Sequence, residues 1–188
     1  MCSVLPFEFS EKVSVVPLSD EMWPQGDQMY NVPCVAAGWG RHEMGGKLAT
    51  HLQKLDVTAR HGEDGCVCDL PFQNKRLVCI SGKAGKGLCA GDSGSVLVCN
   101  KKAVGVAHII YLEEACNPFR IRMPKLSCKQ SLSAFMYICP FLDWIRKHVP
   151  DVPGTPISCN GCKISSSLVK VVVLNILLKF QAINIYLS

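Results

Sequence analysis

The residues best placed to do chemistry lie in Cys89-Ala90-Gly91-Asp92-Ser93-Gly94-Ser95-Val96-Leu97-Val98-Cys99. A serine among small residues is a candidate nucleophile. Its neutral hydroxyl attacks poorly, so it needs a histidine to take its proton and a buried carboxylate to orient that histidine. A strand-to-helix nucleophile elbow would need Gly-x-Ser-x-Gly with a helix following. Here glycine falls directly after Ser93 and a strand-like run comes next, so that geometry is excluded. The chain has five histidines, His42, His51, His61, His108 and His148, and none precedes a cysteine. Twelve cysteines in 188 residues are the second chemical signal. Disulfides in an oxidising compartment are the default reading of that number. Cys66-x-Cys68 and Cys159-x-x-Cys162 have zinc-like spacing, but a zinc site needs two such pairs close together. No metal and no other cofactor is expected.

The surroundings of Ser93 carry a resemblance. Gly91-Asp92-Ser93-Gly94-Ser95 lies between Cys89 and Cys99. Upstream stands Cys34-Val35-Ala36-Ala37-Gly38-Trp39-Gly40, and before it Val15-Val16-Pro17-Leu18. Val104-Gly105-Val106-Ala107 follows the serine, and Phe141-Leu142-Asp143-Trp144-Ile145 closes the series. In this order, across roughly residues 8–150, these landmarks resemble the chymotrypsin-like (trypsin-like) serine proteases, in flavour the leukocyte elastase and granzyme branch. The resemblance implies an all-β fold, the second six-stranded antiparallel barrel of such a protease with its C-terminal helix. It makes Ser93 the nucleophile, the N–H groups of Gly91 and Ser93 the oxyanion hole, and Asp92 the acceptor of an activation amino terminus. It pairs Cys34 with Cys99, Cys89 with Cys116, and Cys79 with Cys66 or Cys68. Cys139 matches a half-cystine of some relatives, without an identifiable partner. Cys2, Cys128, Cys159 and Cys162 receive no assignment.

The same resemblance shows what these residues do not contain. The family's histidine sits in Ala-Ala-His-Cys, its aspartate in Asp-Ile-x-Leu-Leu, and its activated terminus reads Ile-Val-Gly-Gly; none of the three is in the sequence. The expectation is a serine endopeptidase present as a fragment or truncated isoform, with the first barrel absent and no activity by itself. The alternative is a non-catalytic homologue that acts as a secreted binding module. The family and the cysteines imply a secreted or granule protein, although Met1 to Glu8 does not read as a signal peptide.

The specificity pocket is expected at Gly87, His108 and Ile110. Gly87 stands where relatives that cut after Arg or Lys carry aspartate. Ile110 replaces a glycine and would narrow the pocket toward small apolar residues in a protein or peptide substrate. His108 replaces a serine and reads as a tolerated strand residue rather than a catalytic base. Trp39 and Trp144 read as core and packing residues. Asp64 and Asp69 read as loop carboxylates. Arg120, Arg122, Lys125 and Lys129 could bind a polyanion weakly, though a surface loop is the simpler reading.

The elements that must position these residues are short. Lys12–Val16 alternates and reads as a strand before a long loop. Strand-like runs recur at 34–37, 51–59, 76–80, 96–99 and 103–110, separated by glycine-rich turns, as in a barrel or sandwich. Lys101-Lys102 reads as a hairpin turn, residues 111–135 are irregular, and 140–149 read as a helix with Leu142, Ile145 and Val149 on one face. Domain organisation follows as a partial protease domain over 1–150 and a hydrophobic extension over 151–188. Lys170, Asn175 and Lys179 interrupt the apolar run 168–178. A central lysine costs roughly 2.5–3.5 kcal/mol in a bilayer, so no span is expected. Hydrophobic residues make up 48% and charged residues 19%, which excludes general disorder. The net charge of +5 is too diffuse to imply a nucleic-acid partner.

Overall fold

The computed structural model describes residues 8–11, 13–21, 31–61, 65–66, 77–80, 87–112, 127–149 and 151–159. Six strands form in chain order: β1 (Asn31–Gly38), β2 (Gln53–Arg60), β3 (Leu77–Ile80), β4 (Val96–Cys99), β5 (Lys102–Tyr111) and β6 (Leu132–Tyr137). They close into one antiparallel barrel in the order β1-β2-β3-β6-β5-β4. The expected six-stranded barrel is therefore present.

Closure rests on β6. It pairs with β3 through Val78↔Phe135 and with β5 through Ala107↔Phe135. Sequence patterning misses this strand, which falls in the stretch read as irregular, because Leu132-Ser133-Ala134-Phe135 is buried throughout and does not alternate in polarity. One face contributes Phe135 and Tyr137 to the barrel interior with Ala36, Val78, Ile80, Leu97 and Val104. The other face packs Leu132 and Ala134 on Leu77, Cys79 and Cys66. By contrast β2 alternates, with Leu55, Val57 and Ala59 shielded and Lys54, Asp56, Thr58 and Arg60 exposed, as a strand with one wet face must.

Residues 13–16 do not form the expected strand. Val13, Val15 and Val16 are exposed, and Val13 bridges only Ser10. A closed barrel leaves no free edge for another strand. One gap remains where β5 has begun and antiparallel β6 has already ended, and Leu18 fills it beside Ala103. Ala103 N–H donates to Pro17 O at 2.8 Å, and Ser19 N–H to Ala103 O at 2.8 Å. The hairpin turn is Asn100-Lys101, both at positive φ (49° and 63°), the conformation that a two-residue turn between twisted strands requires. Lys102 instead opens β5 and pairs with Asp20 at 2.7 Å.

The helix is shorter than its sequence pattern. A 3-10 turn at Cys139–Phe141 leads into α1 (Leu142–Arg146). Leu142 is fully buried, while Val149 is 50% exposed. Trp39 and Trp144 are not core residues, at 56% and 62% exposure. Trp39 follows β1 outside the barrel, and Trp144 lies on the outer face of α1, edge-on to His148 at 5.2 Å. Beyond α1 the chain turns back: Arg146 donates to Val152 O, and a disulfide joins Cys139 to Cys159. The packed unit thus runs past 150 to Cys159. The tail 163–188 lies outside the described residues, as do Lys12, Asp64, Cys68, Asp69, Cys116, Arg120, Arg122 and Lys125.

Tyr137 ties the leading segment to the barrel. Its hydroxyl donates to Glu21 O at 3.0 Å, and burial, reinforced by the charge of Glu21, raises its pKa. A phenol whose folded pKa exceeds its unfolded value of about 10 stabilises the fold below that pH and loses the contribution as pH rises further. Urea unfolding above pH 10 should therefore show stability falling more steeply in the native chain than in Tyr137→Phe. That variant should cost about 1 kcal/mol at neutral pH for the lost hydrogen bond. Equal slopes would contradict the assignment.

Candidate functional site

The loop from Gly87 to Ser95 is built around one carboxylate. Asp92 Oδ1 accepts the N–H of Gly40 at 2.7 Å, and Oδ2 accepts the N–H of Cys89 at 3.0 Å. Arg41 N–H donates to Ala90 O at 2.9 Å, so the turn after β1 and the loop before β4 are stitched side by side. The close approach requires glycine: a Cβ on Gly40 would lie 2.3 Å from the Asp92 carboxylate, and one on Gly38 2.1 Å from Oδ1. Gly91 has φ +103°, and a Cβ there would also strike Leu48 at 2.8 Å.

This scaffold presents Ser93 to solvent at a cleft of about 260 Å³ lined by Met44, Leu88, Ala90, Ser93, His108 and Ile110, among others. Gly94 N–H donates to Ala107 O at 2.9 Å, and Ala107 N–H to Ser95 O at 2.8 Å. These bonds clamp the serine loop to β5. Among the described residues, the N–H groups of Gly91 and Ser93 donate to no acceptor. An exposed hydroxyl beside free N–H groups can receive a carbonyl whose oxygen becomes negative on attack.

The structure separates the expected pocket residues. His108 and Ile110 share the cleft with Ser93. Gly87 does not: it lines a second cleft of about 380 Å³ with Asp92, Arg41, His42, Lys54, Asp56 and Lys129. Gly87 backs directly onto Cys128, where a Cβ would lie 2.4 Å from the carbonyl oxygen.

The bridges define the walls. Cys34 is joined to Cys99 across β1 and β4, and Cys66 to Cys79. Cys89 is joined to Cys128, not to Cys116 as expected. The turn at Ser127–Gln130 brings Cys128 against the serine loop, where Leu88 N–H donates to Ser133 Oγ at 3.2 Å at the start of β6. Cys128 and Cys159 were thus bridge cysteines that sequence reading left unassigned. The clue available was position, since each lies near the edge of a packed element.

A closed six-stranded antiparallel barrel followed by a short helix, with an exposed serine on the loop before β4, defines a class by its fold, the trypsin-like barrels. The sequence model of the Trypsin family matches residues 5–145, and the chain belongs to that family. It is 30% identical over 119 residues to Granzyme B(G,H) of Mus musculus, covering 61% of this chain and 41% of that protein. It is 27% identical over 156 residues to Trypsin of Pleuronectes platessa, covering 80% and 55%. The chain spans about half the length of these curated relatives. Among solved structures, a mutant of human heparin binding protein (CAP37) superposes with a TM-score of 0.55 at 25% identity, covering 81% of this chain and 57% of that one.

Removing the Asp92 carboxylate should loosen the whole loop. Hydrogen bonds to charged acceptors are worth about 1.5–3 kcal/mol each when shielded, and Asp92 is half-buried, so Asp92→Ala should cost about 2 kcal/mol in urea unfolding. Gly40→Ala should destabilise similarly by displacing the carboxylate. A change under about 0.5 kcal/mol in both variants would contradict this role.

Proposed function

We propose that these 188 residues supply the nucleophile-bearing half of a trypsin-like serine endopeptidase, with Ser93 as nucleophile and the N–H groups of Gly91 and Ser93 as its oxyanion hole. The observation that carries this reading is the exposed Ser93 beside two N–H groups that have no acceptor among the described residues, on a loop anchored by Asp92. In a whole member, the histidine and aspartate come from the other barrel, and Asp92 also receives the activation terminus. Ile110, with Leu88 and Ala107, suits a small apolar substrate residue before the cleaved bond. The four disulfides among the described residues suit an oxidising, secreted or granule environment. Among the described residues no helix is long and apolar enough to cross a membrane.

By itself the chain is a non-cleaving fragment. Loss of one triad member already reduces such sites to the residual catalysis of oxyanion hole and binding. Purified chain should therefore show no Ser93-dependent hydrolysis of peptide amides with Ala or Val before the cleaved bond. Adding a separately expressed first barrel bearing Ala-Ala-His-Cys should restore it. Cleavage by the isolated chain that Ser93→Ala abolishes would refute the reading.

A second reading is a non-catalytic polyanion-binding module, favoured by the likeness to heparin binding protein. Its contacts would be Arg120, Arg122, Lys125 and the exposed Lys129. Under this reading the chain is retained on immobilised heparin at about 0.15 M salt, and changing all four residues to Gln releases it. Unchanged retention would exclude this surface.

A further inference from the structure

The second group in the Ser93 cleft is an imidazole. His108 sits on β5 where the ladder to β6 slips: Ala107 pairs with Phe135 and Ile109 with Ala134, which leaves His108 as the unpaired extra residue. Such a bulge turns a side chain out of the regular alternation. His108 is exposed, lines the same cleft as Ser93, and makes no hydrogen bond among the described residues. The residue before it is bonded to both Gly94 and Ser95, the two residues that follow Ser93. Backbone clamping therefore puts the His108 imidazole and the Ser93 hydroxyl on one cleft, and among the described residues neither they nor the N–H groups of Gly91 and Ser93 have a hydrogen-bond partner.

We propose that His108 serves as a general base to Ser93, giving this chain a slow acyl-transfer activity on activated esters. The proposal rests on Ser93 being the nucleophile. As Ser93 Oγ bonds to the acyl carbon, its proton passes to the unprotonated ring nitrogen of His108, directly or through one water. The N–H groups of Gly91 and Ser93 receive the oxyanion. When the C–O bond breaks, a nitrophenolate leaves with the electron pair and needs no proton. His108 then gives its proton to bulk water; in deacylation, water bonds to the acyl carbon as its proton passes to His108, the ester C–O bond to Ser93 breaks, and Ser93 Oγ takes that proton back from His108. The described residues that line the cleft include no carboxylate to orient the imidazole. Loss of that group costs about 10⁴-fold in serine proteases, and an amine leaving group would also need a proton from a well-placed acid. The pair therefore turns over activated esters and not peptide amides.

The test uses the full 188-residue chain and 4-nitrophenyl butyrate, read by intact mass and peptide mapping. Native protein should gain one butyryl group on Ser93, and Ser93→Ala should gain none there. His108→Ala and His108→Gln should acylate about 100-fold more slowly, since a positioned base contributes roughly 10²–10⁴-fold. Free imidazole should restore part of the rate in His108→Ala, while His51→Ala, an exposed residue outside the cleft, stays at the native rate. Acylation of Ser93 at the native rate in both His108 variants would overturn the base and leave the nucleophile standing. No acylation of Ser93 in the native chain would overturn the pair, and the restoration of peptide cleavage by an added first barrel would still test the family reading separately.

Discussion

Everything at the site depends on where one carboxylate is held. Asp92 spends both oxygens on backbone N–H groups, one from Gly40 and one from Cys89. A carboxylate paired this way is a rigid post, because moving it would leave the N–H of buried Gly40 without a partner. Ser93 is the next residue, so its Cα inherits that rigidity. The cost falls on the neighbours: Gly38 and Gly40 admit no Cβ beside the post, and Gly91 must take a positive φ to turn the chain around it. The Gly-Trp-Gly and Gly-Asp-Ser-Gly segments, whose Gly40 and Asp92 are 52 residues apart, are two halves of one packing solution.

That solution needs a frame, and the barrel supplies it through a strand that sequence patterning could not reveal. Alternation exposes a strand to the reader only when one of its faces is wet. Strand β2 obeys, and it was legible. Strand β6 is covered inside by the barrel core and outside by Leu77, Cys79 and Cys66, so it carries no polarity pattern. The valines at 13–16 show the reverse failure. They alternate like a strand, yet the closed barrel offers them no edge, and only Leu18 finds a gap beside Ala103. Propensity states what a segment tolerates, while closure decides which segments are used.

The site was legible where chemistry constrains residue type and illegible where only geometry does. Asp92 and the glycines around it announce themselves, because a Cβ on Gly38 or Gly40 would strike the carboxylate and Gly91 takes a positive φ. The partner of Cys89 does not, because any cysteine whose backbone approaches within bridging range will serve. Spacing in relatives pointed to Cys116, but the turn at 127–130 delivers Cys128. Gly87, expected at the pocket by its position, lines the other cleft, and a Cβ there would lie 2.4 Å from the Cys128 carbonyl oxygen. The exposed tryptophans follow a related logic. Trp39 lies just past the end of β1 and Trp144 on the outer face of α1, so a large apolar ring is no guarantee of burial.

An acyl-transfer site is divisible in a way that a core is not. In the proposed site, the N–H groups of Gly91 and Ser93 and the Ser93 hydroxyl belong to one loop, which contacts inside this barrel hold in place. Proton transfer is a separate requirement, met by whatever base reaches the hydroxyl. Leaving groups sort the two contributions: a phenolate departs unaided, whereas an amine must be protonated as its bond breaks. A barrel carrying the loop alone is therefore limited by its base and not by its fold. The imidazole lifted out of the β5 ladder is the one basic side chain that lines the Ser93 cleft among the described residues. Whether the chain has any chemistry of its own turns on that single displaced residue.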